Sequence, residues 1–336
     1  MMPAVGDIER RGMNLLRRTL ICTSAAALSA TSLVVGAGPA SAVHVACGQT
    51  IMVSTTLDSN VGPCATGLTI GANNVVLDLA GFTVSGTPNT GEGPGILIAD
   101  RTGVTVKNGT VSAFDTGISI EGGSGNTVSN MNISGNRGAG DYGEGVLLFS
   151  TTGNTVTGNR ITNNGPYGGI SALVGTNNLI ENNQIVGNNM STTNTSGIRL
   201  ENSGRSASNG NTIRGNLVQG SGLDGIQIFA GGSDNVISRN TVLNNNRDGI
   251  TAFAGSNRNI IEDNQVRFNG FGPINGSGIY IRAAAGSFTA PAGNIIRRNV
   301  AGGNLVLDLR DGQPTCGTNV WTANTAVTGN PPCVFG

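Results

Sequence analysis

The sequence repeats one short unit along most of its length. The unit is a glycine, an apolar residue, any residue and a second apolar residue, and the unit glycines lie 22 to 29 residues apart. These glycines are Gly67, Gly95, Gly117, Gly145, Gly169, Gly197, Gly225, Gly249 and Gly278. A period of this length is typical of a repeat protein, in which each repeat packs only on its neighbours.

A second unit lies between the glycine units. It has the form Asn-x-apolar-x-x-Asn-x-apolar and occurs at residues 154–161, 211–218, 235–242 and 259–266. The alternation of apolar residues, bounded by Gly and Asn turns, predicts three short strands per repeat. Strands this short cannot bury an apolar face alone, so the repeats must stack with Ile and Val columns inside and Asn columns in side-chain ladders. We predict an all-β parallel solenoid of about ten coils.

The composition excludes several classes of protein. Charged residues make up 11% of the chain, the formal net charge is zero and 54 residues are glycine. Abundant Gly and Asn disfavour a helical fold, and a neutral chain without a basic patch argues against nucleic acid as a partner. The only histidine, His44, cannot by itself build a multi-histidine metal site, and we expect no catalytic role for it.

Residues 1–42 have the features of an export signal. Arginines precede an uncharged stretch from residue 19 to residue 38, and Ala40, Ser41 and Ala42 form a small-residue cleavage site. A membrane anchor is the alternative, which the short apolar core disfavours, and no second long apolar run follows. We therefore expect a secreted, extracellular protein made of residues 43–336.

Four cysteines remain after the signal, in two close pairs at the two ends of the chain. An even count in an exported protein predicts disulfides, Cys47 with Cys64 and Cys316 with Cys333. A zinc site is the alternative, but the 16 residues inside each pair do not give the usual zinc-ligand spacing. The expected disulfides would staple both ends of the stack.

The glycine and asparagine units together resemble the right-handed parallel β-helix of pectate lyases, polygalacturonases and a carbohydrate-binding and sugar-hydrolase group. Residues 47–51 and 77–82, with Cys316, Trp321 and Cys333, resemble the ends of small secreted bacterial members of that group. The resemblance covers residues 47–333 and implies a right-handed parallel β-helix, a repeat that serves lyases, hydrolases, epimerases and non-catalytic adhesins alike. Leucine-rich repeats are the nearest alternative, and the asparagine spacing disfavours them.

The residue before each unit glycine occupies one column of the stack. In two successive coils it is Asp224 and Asp248, 24 residues apart, which should lie about 5 Å from each other. Such a pair could bind calcium, share a proton or serve as the two carboxylates of a glycosidase. The same column holds Thr116, Ser196 and Ser277, so capping of the turn before the glycine is the alternative that we favour.

The outward side of the same strands carries polar and aromatic residues. Around the two aspartates these are Arg199, Glu201, Gln227, Phe229, Phe253, Tyr280 and Arg282. Hydrogen-bonding groups beside exposed rings suit a sugar chain, and insertions at 187–196, 202–209 and 283–293 could wall such a face. The alternative, which carries equal weight, is that the phenylalanines cover a corner of the core.

Complete catalytic motifs of the resembled enzymes are missing. The chain lacks the Asp-Asp pair and Gly-His-Gly segment of polygalacturonases and the Arg-x-Pro-x-x-Arg segment of pectate lyases. A lyase could still use Arg199 as a base, or less favourably Tyr142 or Tyr167, with calcium bridging a uronate to Asp224 and Asp248.

Three functions therefore remain open. The first choice is a monomeric protein that binds an extracellular polysaccharide; the second is a polysaccharide lyase or glycoside hydrolase centred on Asp224 and Asp248; the third is a structural surface protein. A separate column of charged residues predicts surface ion pairs of little energetic weight. It consists of Glu181, Arg214, Arg239, Glu262, Asp263, Arg297 and Arg298.

Overall fold

The computed structural model describes residues 42–87, 93–138, 143–189, 195–203 and 206–336. The predicted export signal, up to Ser41, and the candidate base Tyr142 lie outside the described residues. Within the described ranges the chain is all β, apart from one 3₁₀ turn at Pro332–Phe335. No helix in these ranges is long and apolar enough to cross a membrane.

The described residues form 32 strands. In chain order they are β1 (Ala42–Val43), β2 (Thr50–Ile51), β3 (Thr55–Leu57), β4 (Val61–Cys64), β5 (Leu68–Ile70), β6 (Val76–Asp78), β7 (Thr83–Gly86), β8 (Pro94–Ala99), β9 (Thr105–Ser112), β10 (Thr116–Glu121), β11 (Thr127–Ser134), β12 (Glu144–Phe149), β13 (Thr155–Thr157), β14 (Arg160–Thr162), β15 (Gly168–Leu173), β16 (Leu179–Glu181), β17 (Gln184–Val186), β18 (Ser196–Glu201), β19 (Thr212–Arg214), β20 (Leu217–Gln219), β21 (Ile226–Ile228), β22 (Val236–Ser238), β23 (Thr241–Leu243), β24 (Ile250–Ala252), β25 (Ile260–Glu262), β26 (Gln265–Arg267), β27 (Ile279–Ile281), β28 (Ile295–Arg297), β29 (Val300–Gly302), β30 (Leu309–Asp311), β31 (Val320–Thr322) and β32 (Gly329–Asn330).

The strands belong to two parallel sheets that run along the stack. Sheet I contains twelve strands, β2, β5, β8, β10, β12, β15, β18, β21, β24, β27, β30 and β32, and sheet II contains the other twenty. From β12 onward most coils contribute one strand to sheet I and two to sheet II, which confirms the predicted pattern of three short strands. In two earlier coils the sheet II strands are continuous, as the eight-residue β9 and β11.

The glycine units form sheet I in the register that their spacing predicts. Ile198 pairs with Ile226, Ile226 with Ile250, and Ile250 with Ile279, so isoleucines stack in one buried column. Each fully buried side chain of this kind contributes about 1.5–3 kcal/mol by leaving water. The interior of the solenoid is therefore filled by one continuous apolar core.

Close packing explains the glycine that opens each unit. A Cβ atom built on Gly225 would lie 2.4 Å from Val242 Cγ1 and 2.6 Å from the carbonyl oxygen of Gly249. Because sheet II and the next coil both approach this position so closely, a larger residue would push the coils apart. The same geometry recurs one coil later at Gly249.

Asparagine side chains form three ladders along the stack, as predicted. In the middle of one ladder, Asn216 Nδ2 donates to Asn240 Oδ1 at 3.0 Å, and Asn240 Nδ2 donates to Asn264 Oδ1 at 3.0 Å. The backbone N–H of each asparagine donates to the same oxygen of the next, and Asn240 Nδ2 also donates to the carbonyl oxygen of Ile213. Every ladder therefore has one direction, with donors pointing toward the carboxyl-terminal end.

At the carboxyl-terminal end of the stack, two of the ladders terminate on a carboxylate. Asp308 Oδ1 accepts from the backbone and the side chain of Asn304, at 3.2 and 3.0 Å. Asp311 Oδ2 accepts from Asn319 Nδ2 and from Trp321 Nε1, both at 3.0 Å. An acceptor without donors suits these positions, because the last asparagine still has an amide group to donate.

Both predicted disulfides are present. Cys47 bonds to Cys64 with Cα atoms 5.3 Å apart, and Cys316 bonds to Cys333 with Cα atoms 6.2 Å apart. They lie in the first and last coils, where a strand has a neighbour on one side only.

Candidate functional site

The structure brings Asp224 and Asp248 together in successive coils of sheet I. The backbone N–H of Asp248 donates to Asp224 Oδ1 at 3.1 Å, and the N–H of Ser277 donates to Asp248 Oδ1 at 2.8 Å. Each carboxylate thus caps the turn of the following coil, which is the arrangement that the capping interpretation describes. Both side chains are buried, with exposed fractions of 0% and 3%.

Arg247 and Gln227 complete the hydrogen bonding of Asp224. Arg247 Nε donates to Asp224 Oδ1 at 2.7 Å and Nη2 donates to Oδ2 at 2.5 Å, while Gln227 Nε2 donates to Oδ2 at 3.1 Å. Burial lowers the pKa of Arg247, but the charge and hydrogen bonds of Asp224 together with the charge of Asp248 outweigh it and raise that pKa above its ordinary value. With the N–H of Asp248, the Asp224 carboxylate accepts four hydrogen bonds, which fills its usual capacity.

Asp248 is held differently. Arg282 Nη2 lies 2.5 Å from Asp248 Oδ2, and Arg247 Nε lies 3.7 Å from the same oxygen. Burial and the neighbouring charge of Asp224 raise the pKa of Asp248, and the two arginines offset this only in part. A raised carboxyl pKa is a property of general acids in catalysis. Asp248 is therefore the aspartate that we would consider for the role of a general acid.

The predicted calcium site does not fit this arrangement. Calcium takes six to eight oxygen ligands, whereas the oxygens of Asp224 and Asp248 face guanidinium groups of Arg247 and Arg282. No group of three or more His, Cys, Asp or Glu residues within the described ranges could hold a metal ion. The donor set suits two bound arginines rather than a divalent cation.

The predicted aromatic residues Phe229 and Phe253 are packed, not exposed. Their exposed fractions are 8% and 3%, and their rings stack with centroids 5.2 Å apart. They belong to a small apolar cluster on the outer side of sheet I, against which Phe288 of the 283–293 insertion packs. The expectation that these rings offer an open surface to sugar is therefore wrong, because the insertion and the stacked coils cover them.

Arg199, Glu201 and Gln227 are also buried, with exposed fractions of 1–2%. Arg199 Nη2 lies 3.5 Å from Glu201 Oε2, and its guanidinium lies 4.9 Å from the centre of the Tyr167 ring. An arginine beside a carboxylate stays protonated, so this environment disfavours Arg199 as a general base. Tyr167 itself is 4% exposed.

The accessible part of the predicted site lies on the last strands of sheet I. Tyr280 of β27 and Arg282, which directly follows that strand, are partly exposed, and β30 places Arg310 directly beside Tyr280. The guanidinium groups of Arg282 and Arg310 lie 4.8 and 4.3 Å from the centre of the Tyr280 ring. Sequence reasoning missed Arg310 because its coil lacks the unit glycine, and it missed Arg247 because that residue lies outside the columns considered.

Exposed rings do occur beside this site, on a different segment. The loop between β26 and β27 carries Phe268 and Phe271, whose exposed fractions are 52% and 63%. The loop borders the aspartate pair, since the N–H of Gly272 donates to the carbonyl oxygen of Asn246 at 2.9 Å. The signal for it was the 29-residue spacing between Asp248 and Ser277, five residues longer than the preceding coil.

The remaining predicted column lies on the outside of sheet II and forms ion pairs, as expected. Arg214 pairs with Glu181 at 2.7 Å, and Arg298 pairs with Asp263 at 2.8 Å and with Glu262 at 2.9 Å. These side chains are largely solvated, so each pair contributes little to stability. His44 is likewise exposed, and its Nδ1 lies 3.1 Å from the hydroxyl of Ser59.

Comparisons with known proteins agree with this architecture. The family model described as "Right handed beta helix region" matches residues 66–234 and 185–330. No curated protein sequence matches the chain.

Three solved structures have the same fold at 12–14% sequence identity. The Dettilon tailspike protein gp208 aligns with a TM-score of 0.59 over 81% of this chain and 55% of its own length. DFA-IIIase from Arthrobacter chlorophenolicus A6, in complex with GF2, gives 0.55 over 85% and 74%, and the periplasmic alginate epimerase AlgG gives 0.50 over 83% and 73%. The chain thus spans about half the length of the tailspike.

Proposed function

This chain belongs to the right-handed β-helix family, and we propose that it is a secreted protein that binds an extracellular polysaccharide on the outer face of sheet I. The two disulfides fit an exported protein, since such bonds persist in oxidising compartments. The binding face comprises Tyr280, Arg282 and Arg310 together with the neighbouring loop that carries Phe268 and Phe271.

One observation carries this proposal: two guanidinium groups and a partly exposed aromatic ring meet on the outer face of sheet I, beside coils that are bordered by a loop with exposed rings. Arg282 and Arg310 flank Tyr280, and the loop with Phe271 borders the same coils. Sugar rings combine hydroxyl groups with apolar C–H faces, so they are bound by polar groups and aromatic rings side by side. Among the similar structures, the alginate epimerase acts on a polysaccharide, which agrees with this choice of ligand.

Catalysis is the second candidate, and Asp248 is the observation that favours it. Its raised pKa would let it hold a proton for a leaving oxygen. Against this stands Asp224, whose four accepted hydrogen bonds leave it no free lone pair to act as nucleophile or base. We therefore place polysaccharide binding ahead of hydrolysis or lyase chemistry, and a purely structural role third.

The test is to incubate the purified protein with a panel of acidic and neutral polysaccharides. Binding is followed by affinity electrophoresis, and cleavage by new reducing ends and by the ultraviolet absorbance of unsaturated uronates. We expect retardation by at least one polymer, weakened at least fivefold by Tyr280→Ala or Phe271→Ala. The exposed variant Arg258→Gln, away from this face, serves as control and should bind as the parent does.

Absence of binding to every polymer by a folded protein would refute the proposal and favour the structural role. New reducing ends would show that the protein is an enzyme. It would be a lyase if the ultraviolet absorbance of unsaturated uronates also appears, and a hydrolase if it does not. In that case the substitution Asp248→Asn should change the pH dependence of the cleavage rate.

A further inference from the structure

The charges of the binding face are unequally partnered. Asp224 pairs with Arg247, and Asp248 pairs with Arg282, so two carboxylates neutralise two guanidinium groups. Arg310 extends the same face by one strand, and no carboxylate among the described residues lies within ion-pair distance of its guanidinium. Arg310 therefore adds to this face a positive charge that no ion pair among the described residues neutralises.

The acidic residues nearest to Arg310 in the sequence accept hydrogen bonds from other residues. Asp311 is 4% exposed and accepts hydrogen bonds from Asn319 and Trp321 inside the coil. Asp308 is 2% exposed and receives the end of an asparagine ladder. Both carboxylates therefore serve the carboxyl-terminal coil, and neither competes for Arg310.

Tyr280 fixes the position of this free charge. The guanidinium of Arg310 lies 4.3 Å from the ring centre, within the range of a cation–π contact, and Arg282 contacts the same ring. Stacking of this kind orients the planar guanidinium while its N–H groups stay available for a ligand. A planar fork of donors matches a carboxylate or a sulfate oxygen pair better than it matches a neutral hydroxyl.

We propose that the ligand is an anionic polysaccharide and that Arg310 docks the oxyanion of one of its sugar residues. The shared chemistry is a carboxylate or a sulfate ester held by two parallel N–H donors, next to the Tyr280 phenol. This inference rests on the proposed function, since it names the class of polysaccharide that the same face binds. Arg282 and Arg247 play a different part, because Asp248 and Asp224 neutralise their charges.

The experiment compares a polyuronate with the same polymer after its carboxyl groups have been reduced to neutral alcohols, and adds a sulfated polysaccharide as a third arm. Dissociation constants are measured for the parent protein, Arg310→Gln, Arg310→Lys and the charge-matched control Arg258→Gln. Circular dichroism and thermal unfolding check that each variant folds. The measurements are repeated at two salt concentrations.

We expect the parent to bind at least one of the two anionic polymers about tenfold or more tightly than the neutral one. Arg310→Gln should remove most of that preference and reduce the salt dependence, because it lowers the affinity for the anionic polymer far more than the affinity for the neutral one. Arg310→Lys should keep the salt dependence and lose affinity severalfold, since it keeps the charge but not the fork. Preference for the polyuronate alone would assign the carboxylate, and preference for the sulfated polymer alone would assign the sulfate.

Equal binding of anionic and neutral polymers, or an unchanged preference in Arg310→Gln, would overturn this inference while polysaccharide binding itself would stand. Binding to no polymer at all would remove both proposals together.

Discussion

The substitution Asp308→Asn should loosen the carboxyl-terminal coil although it changes only one atom. Asp308 Oδ1 accepts two hydrogen bonds from Asn304, and Oδ2 accepts the backbone N–H groups of Val327 and Thr328, each at 3.1 Å. An amide at this position must point its NH₂ group at one of these pairs of donors. Two hydrogen bonds to a charged acceptor are then lost, at about 1.5–3 kcal/mol each, so we expect a cost of about 3–6 kcal/mol.

The effect should be local, because a solenoid is stabilised coil by coil. The assay is native-state hydrogen exchange, and the amides of Val327 and Thr328 should exchange at least about 100-fold faster in the variant. Asp234→Asn, at an exposed ion pair with Arg258, is the matched control and should change stability by less than about 1 kcal/mol. Unchanged exchange at Val327 and Thr328 in Asp308→Asn would refute the view that the ladder needs a carboxylate at its end.

The same residue predicts an acid dependence. Burial raises the pKa of Asp308, but hydrogen bonds from Asn304, Thr328 and Val327 outweigh it and hold that pKa below its ordinary value. A carboxyl group with a depressed folded-state pKa stabilises the fold above its unfolded pKa of about 3.9 and loses this contribution as the pH falls through the folded value. The difference in the free energy of unfolding between the parent and Asp308→Asn should therefore shrink as the pH falls from about 3.9 through the folded-state pKa of Asp308. A difference that stays constant over this pH range would contradict the depressed pKa.

Two further predictions concern the ends and the outer face. Replacing Cys316 and Cys333 by serine should cost about 3 kcal/mol, since the bond closes a loop of 17 residues, and denaturant unfolding should show it; equal midpoints for variant and parent would contradict this. Phe253→Ala should cost about 3–5 kcal/mol in thermal unfolding, because the ring is buried, stacks on Phe229 and lies 4.5 Å from the Arg282 guanidinium. A loss below about 1 kcal/mol would show that this part of the face is open to solvent after all.

The spacing of the repeats predicted the fold because successive coils can stack in only a few ways. Once Gly225 and Gly249 open equivalent strands, the residues between them must pair in register, which also places Asp224 next to Asp248. The Asn ladders follow from the same arithmetic, since a buried amide in one coil finds its best partner in the equivalent amide of the next. These features depend only on distances along the chain.

The candidate site was harder to predict because it depends on what covers each column. Alternation places Phe229 and Phe253 outward, but outward does not mean exposed when an insertion such as 283–293 folds over the sheet. Arg247 was missed because its role depends on side-chain direction at a turn, where period-two reasoning does not apply. Arg310 could have been predicted from the sequence, since it continues the Tyr280 column by one more coil.

The two aspartates are better explained as anchors for two arginines than as a catalytic pair. A retaining glycosidase needs one carboxylate free to attack and another to give up a proton, whereas Asp224 is fully hydrogen-bonded and Asp248 is held by Arg282. Anchored in this way, Arg247 and Arg282 contribute no net charge to the face. Among the described residues of this face, Arg310 is then the charge left for a ligand, so we expect that residue, and not the aspartate pair, to decide which class of polysaccharide binds.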